Sequence, residues 1–153
     1  MLSVITNFEP GLTDQLIEIY VETIQKQFRD EADFREFCYD SLMDRNCIIF
    51  LLNANEEPVS SVFSEMVGND VLLYSLETAP KHRGKGYAQM LLSGVLDYFR
   101  NCNLDSICVH IHKDNQISMD LHQKLGFRTV KDSAKLLDGT VSQRYYTLSY
   151  IIK

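Results

Sequence analysis

The stretch that most constrains this chain is a basic loop with two glycines, Lys81-His82-Arg83-Gly84-Lys85-Gly86. It follows a strand-like segment ending at Thr78 or Ala79 and opens a helix. Pro80 stops the strand because it offers no ladder donor. Beyond the loop, Ala88, Leu91, Leu92, Val95, Leu96 and Phe99 fall on one helical stripe. The first N–H groups of such a helix have no intrahelical partner and carry partial positive charge. Glycines let the backbone turn sharply and approach an anion, and Arg83 and Lys85 add cationic side chains. The strand, loop and helix together predict a phosphate site, most simply for a pyrophosphate. A surface turn with incidental lysines is the bland alternative. The P-loop spacing GxxxxGK[ST] and the dinucleotide fingerprint GxGxxG are both absent.

The remaining periodicities build an α/β chain around that segment. Residues 12–25 and 31–45 have helical spacing of apolar positions, the first after a Pro10-Gly11 break. Residues 47–53, 59–67 and 71–78 read as a meander with turns at 53–58 and 68–70, preceded by a short strand within 2–8. A strand at 106–112 and a helix at 115–125 follow, the helix stopped by Gly126. Two strands, 127–136 and 144–152, flank Asp138-Gly139. The expected fold is a mixed, mostly antiparallel sheet with helices on both faces. The 153 residues are one domain's length, so 1–153 is expected to be a single domain.

Charge restricts the partners. The net charge of −6 argues against general nucleic-acid binding. Residues 1–80 carry 15 acidic and 4 basic side chains, a net of −11, whereas residues 81–153 carry 6 and 11, a net of +5. This asymmetry suits a ligand with two ends of opposite charge, or two ligands. Cys38, Cys47, Cys102 and Cys108 lack CxxC spacing, and the N-terminus has neither a basic start nor a long apolar run. The expectation is a cytoplasmic protein with reduced thiols and no membrane span.

Arg83-Gly84-Lys85-Gly86-Tyr87-Ala88 resembles the R/Q-x-x-G-x-G/A loop of the GNAT superfamily of N-acetyltransferases. Residues 109–127 resemble that family's second cofactor segment, L-x-V-x-x-x-N-x-x-A-x-x-L-Y-x-K-x-GF. The matching positions are Val109, Ile111, Asn115, Ser118, Leu121, Lys124, Gly126 and Phe127. The resemblance covers about residues 70–127. It implies a GNAT-like sheet in which two parallel strands, 71–78 and 106–112, splay apart and take the pantetheine arm of acetyl-coenzyme A like an added strand. By resemblance, the backbone at Leu76 and Thr78 holds that arm. The loop from Arg83 to Ala88 holds the pyrophosphate, with Asn115, Ser118 and Lys124 as further cofactor contacts. The basic half of the chain then receives coenzyme A. Acidic residues Asp30, Glu31, Asp33, Glu36, Asp40 and Asp44 either attract a cationic amine or form the solvated face of a helix.

The implied reaction is acetyl transfer from acetyl-coenzyme A to a primary amine by direct attack in a ternary complex. The amine must lose a proton, the oxyanion needs a donor near residues 76–78, and the leaving thiolate needs an acid. Glu77 and His110 are both candidate bases. The family's usual acid is a tyrosine, and His122 stands in its place. His122 serves as acid only if its surroundings raise its pKa. Cys108, His110 and His112 share one strand face, which makes an incomplete metal set, so no metal is expected. A coenzyme A-binding module without turnover is the alternative function. The aromatic strand with Tyr145, Tyr146 and Tyr150 is core, a wall of the acceptor site, or a surface for pairing with a second copy. The acceptor itself has no motif.

Overall fold

Apolar runs become strands and apolar stripes become helices largely where the sequence places them. The computed structural model describes every residue, Met1–Lys153. In chain order the elements are β1 (Leu2–Ile5), α1 (Leu12–Ile19), α2 (Val21–Gln27), α3 (Glu31–Met43), β2 (Ile48–Ala54), β3 (Glu57–Val67) and β4 (Asp70–Thr78). A 3-10 turn, Pro80–His82, precedes α4 (Tyr87–Arg100), β5 (Ser106–His112), α5 (Gln116–Lys124), β6 (Arg128–Lys131), β7 (Ala134–Lys135), β8 (Val141–Ser142) and β9 (Tyr145–Ile151). No helix is long and apolar enough to cross a membrane.

Seven strands form one sheet in the order β1-β2-β3-β4-β5-β9-β6, and β7 and β8 form a separate ladder. The pairs β1–β2, β2–β3, β5–β9 and β6–β9 are antiparallel. Strands β4 and β5 are parallel, in register from Asp70↔Ser106 to Leu73↔Val109. Strand β4 continues to Thr78 and β5 to His112 beyond the last of these pairs. The sheet is mixed and mostly antiparallel with one parallel pair, and helices flank it.

The chain divides into two compact units. The first comprises Met1–Glu65 and Ser75–Leu96. Its core contains Leu16, Ile19, Phe34, Cys38, Phe50, Phe63, Leu91 and Val95, all buried. Tyr20 packs its ring 5.4 Å from Phe34 and edge-on to Phe63 at 5.8 Å. The second comprises Met66–Tyr74 and Asp97–Lys153. Ile107, Val109 and Ile111 alternate inward along β5, and Phe127 and Leu148 are buried in the same unit.

Two expected elements are divided. The helix expected over 12–25 is two helices that meet at Tyr20, whose φ of −94° and ψ of 17° break the α geometry. No proline or glycine marks that break. Its partner is tertiary, because the Tyr20 hydroxyl donates to the carbonyl of Ser75. The strand expected over 127–136 becomes β6 and β7. The β6–β9 register shifts between Thr129 and Lys131, and the Thr147 hydroxyl donates to Ser133 O at 2.7 Å. A side chain therefore takes a carbonyl that a continuous ladder would use.

Candidate functional site

In the first unit, everything expected to hold pyrophosphate lies on one continuous segment, from the end of β4 through the loop into α4. Ala79 N donates to Val59 O at 2.8 Å, and Pro80 opens the 3-10 turn. Gly84 and Gly86 then adopt φ of 76° and 82°, values that L side chains rarely reach. A Cβ at either position would meet nothing within 4 Å, so backbone conformation rather than crowding calls for glycine there. Met90 N donates to Gly86 O at 3.1 Å, the first helical bond of α4. The amides of Tyr87, Ala88 and Gln89 precede that bond, and Lys85 stands exposed between the two glycines. This arrangement fits a diphosphate: a left-handed glycine pair, a helix N-terminus and an adjacent ammonium.

The base of the loop is fastened from two sides. The His82 ring Nε2 lies 2.9 Å from Glu57 Oε2, and Lys81 Nζ lies 3.6 Å from the same oxygen. The hydrogen bond with His82, and then the Lys81 charge, hold the Glu57 carboxyl below its ordinary range. Glu57 follows a hairpin turn in which Asn55 and Glu56 both have positive φ. On the other side Arg83 reaches Glu22, with Nη1 and Nη2 at 3.3 and 3.1 Å from the two carboxylate oxygens. Its Nε donates to Thr78 O at 3.3 Å.

Strand β4 carries a feature that sequence reasoning missed. Ser75 has φ of 55°, a left-handed residue within a strand, and it is exposed. The buried Tyr20 hydroxyl donates to its carbonyl at 2.5 Å. The strand is re-aimed there, immediately before Leu76, Glu77 and Thr78. Those three residues are half-buried. Ser60 Oγ donates to Glu77 O at 2.8 Å and lies 3.1 Å from Thr78 Oγ1. The Glu77 carboxylate accepts from Thr23 Oγ1 at 2.8 Å and lies 3.8 Å from Arg83 Nη2. Nothing in the local sequence signals Ser75 or Thr23, since both act through partners more than fifty residues away.

In the second unit, Asn115 caps α5 by accepting from Ser118 N at 3.1 Å. That cap uses the side-chain oxygen and leaves the NH2 group outside it. His110 and His112 lie on the half-open side of β5, opposite Thr147 and Tyr145 on β9. Burial pushes the His110 imidazole below its ordinary pKa. His112 Nδ1 accepts from Asp114 N at 3.1 Å. No group of three His, Cys, Asp or Glu side chains is placed to hold a metal ion.

His122 is buried, and its position explains its chemistry. Phe127 N donates to His122 O at 3.0 Å and Gly126 N to Gln123 O at 3.1 Å, the two bonds of a Schellman stop. The ring packs edge-on to Phe127 at 5.1 Å, the apolar contact that accompanies such a stop. With Ser118 O as partner at 2.8 Å, Nδ1 carries the hydrogen. Burial lowers the pKa, and the bond to Ser118 only partly opposes that shift. An acid would need the opposite direction, so the setting favours a structural imidazole. Lys124, two residues on, is exposed.

The acidic set divides likewise. Asp30 caps α3 by accepting from Asp33 N at 2.8 Å. Asp33 pairs with Arg29 at 3.1 Å, and the hydrogen bonds from Arg29 hold its carboxyl below the ordinary range.

Comparison with known proteins places this geometry in a family. Over 78 residues the chain is 33% identical to an L-amino acid N-acyltransferase of Escherichia coli K12, covering 51% of this chain and 44% of that protein. Over 115 residues it is 29% identical to a spermidine N(1)-acetyltransferase of Vibrio cholerae, covering 74% of this chain and 58% of that protein. The chain thus spans about half the length of the curated relatives it matches. The fold is shared with the PaiA N-acetyltransferase of Thermoplasma acidophilum, solved in complex with coenzyme A. That likeness has a TM-score of 0.73 at 13% identity and covers 99% of each chain. Residues 13–127 match the Acetyltransferase (GNAT) family, and the chain belongs to it.

Proposed function

We propose that the protein is an N-acetyltransferase that moves an acetyl group from acetyl-coenzyme A to a primary amine. The observation that carries this reading is the loop before α4, where Gly84 and Gly86 turn left-handed ahead of the amides of Tyr87 and Ala88. Those amides, with Lys85, would hold the pyrophosphate. Backbone at Leu76 and Thr78 would pair with the pantetheine arm, and Asn115, Ser118 and Lys124 would supply further contacts. In the transfer the amine nitrogen bonds to the acetyl carbon as the carbon–sulfur bond breaks. The amine's proton passes to a base, and the thiolate leaves with coenzyme A.

His110 is the base we favour. Burial pushes its pKa down from the ordinary 6.5, so the imidazole is unprotonated at neutral pH. Glu77 is the second base candidate, although one of its carboxylate oxygens already accepts from Thr23. His110→Gln should lower kcat by roughly 100-fold or more and remove an acidic limb lying below pH 6.5. A comparable loss in Glu77→Gln with His110→Gln unimpaired would move the role to Glu77. The acceptors to test are spermidine and L-amino acids, the substrates named for the two curated relatives.

The first test is thermal melting with acetyl-coenzyme A, with ADP and a simple acetyl thioester as controls. Ligand at about 100 times its Kd adds roughly 2.7 kcal/mol. In a chain of this size that raises Tm by about 5–10 °C. Thiol release with spermidine and a panel of L-amino acids then identifies the acceptor. No shift with acetyl-coenzyme A refutes the proposal. A shift without turnover on any amine would favour a coenzyme A-binding module.

A further inference from the structure

Arg83 is the motif residue whose side chain is already engaged within the protein, with a bond from each of its three nitrogens. Its two terminal nitrogens make a fork on the Glu22 carboxylate at 3.3 and 3.1 Å, across 61 residues of sequence. Its Nε closes onto Thr78 O at 3.3 Å, spanning the 3-10 turn. The Glu77 carboxylate lies 3.8 Å away on the same guanidinium. A guanidinium fork matches one planar or tetrahedral anion at a time, so turning to a phosphate would break the bidentate pair. Arg83 also immediately precedes the left-handed Gly84, with its own backbone extended at ψ 155°. The clasp therefore fixes where the glycine loop begins relative to α2 and to the end of β4, all within the first unit.

Resting on the acyl-transfer reading, we infer that Arg83 and Glu22 are positioning residues for the acetyl-coenzyme A loop, and that the Arg83 guanidinium is not a phosphate ligand. The loop's backbone amides and Lys85 hold the diphosphate. Arg83 holds the loop. Glu22 thus matters for donor binding although no motif includes it. Lysine is a poor replacement for Arg83, because it lacks the planar fork that engages both Glu22 oxygens while Nε reaches Thr78 O.

The test is acetyl-coenzyme A affinity by titration calorimetry, at about 50 mM and about 300 mM salt, where screening separates direct charge contacts from indirect ones. The proteins are the unmutated chain, Glu22→Gln, Arg83→Gln, Arg83→Lys, the Glu22→Gln/Arg83→Gln pair, and Lys85→Gln. Glu22→Gln and Arg83→Gln should each weaken binding by about 3- to 10-fold, and the double variant should match the singles, because both remove one clasp. Arg83→Lys should not restore affinity. Arg83→Gln should keep the salt dependence of the unmutated chain, whereas Lys85→Gln should flatten it. Thermal melts within a few degrees of the unmutated chain show that the variants fold.

If Glu22→Gln tightens binding while Arg83→Gln weakens it and flattens the salt dependence, Arg83 is a phosphate ligand and the inference is overturned. Unchanged affinity in both also overturns it. Absence of binding by the unmutated chain overturns the acyl-transfer reading itself, and this inference with it.

Discussion

Tyr20→Phe isolates one hydroxyl. The ring is 1% exposed and packs against Phe34 and Phe63, contacts that phenylalanine keeps. What is lost is the 2.5 Å bond to the Ser75 carbonyl. A buried hydrogen bond contributes about 1 kcal/mol net, and leaving its acceptor unsatisfied costs about 1–3 kcal/mol. The bond is part-buried, so the lower half of that range applies. The bond also opposes the cost of a left-handed L residue, about 1–2 kcal/mol. Together these give a loss of about 1–2 kcal/mol, read as a fall in Tm of roughly 3–6 °C or a lower urea midpoint with unchanged slope. The catalytic readout is separate. With the strand no longer re-aimed before Leu76, whose backbone would pair with the pantetheine arm, kcat should fall about tenfold and the Kd for acetyl-coenzyme A should rise with it. A variant with unchanged Tm and kcat would show that the Ser75 conformation is held by the strand itself and that Tyr20 is ordinary core.

Ser75→Gly tests the same strain from the other side. Glycine tolerates φ of 55° but adds about 0.5–1 kcal/mol of unfolded-state entropy, so the change should be neutral or stabilising by up to about 1 kcal/mol. Destabilisation beyond about 1 kcal/mol in urea melts would contradict the strain argument. Gly126→Ala places a methyl at φ of 106°, 3.2 Å from the Tyr150 ring, and should cost about 2 kcal/mol or more. A variant as stable as the parent would mean the α5 stop can be rebuilt. His122 and His110 have pKa values below the ordinary 6.5 when folded, so below that pH the unfolded chain takes up protons that the folded chain does not. Stability is therefore complete above about pH 6.5 and declines as pH falls through the lower folded values. His122→Phe should make the decline shallower, and an identical pH–stability slope would refute the buried, neutral imidazole.

The conformation of the glycine loop before α4 was legible in the sequence because each part acts locally. Gly84 and Gly86 supply their own conformations, Pro80 stops its own strand, and the helical stripe of α4 needs no distant information. The same holds for Asn115 and Gly126, which cap and stop α5 through neighbours within three residues. The residues that tune the segment are of another kind. Tyr20 reads as one more apolar position on a helix, yet it breaks that helix and holds a carbonyl 55 residues away. Thr23 carries no sequence signal at all, yet it is the donor to Glu77. His122 shows the converse: its place in a motif suggests a chemical role only if its pKa is raised, and its burial lowers it.

Arg83 lies between these classes and shows why motif membership and side-chain task must be argued apart. Its position in the loop is a local fact. The direction of its guanidinium is set by Glu22, by Thr78 and by the electrostatic pull of Glu77. A loop whose backbone amides and Lys85 do the binding requires glycines at two positions and a fixed entry, and it needs no particular side chain at position 83 if something else secures that entry. On that reasoning the arginine can be exchanged for another residue only where α2 changes with it. A carboxylate at position 22 should accompany an arginine at position 83 in chains that bind the donor equally well. Restoring the pair in swapped order, Glu22→Arg with Arg83→Glu, should not recover affinity, because the Nε bond to Thr78 would be lost and a carboxylate would stand beside the diphosphate. Recovery of affinity in the swapped pair would show that only the ion pair matters and that the clasp on Thr78 contributes nothing.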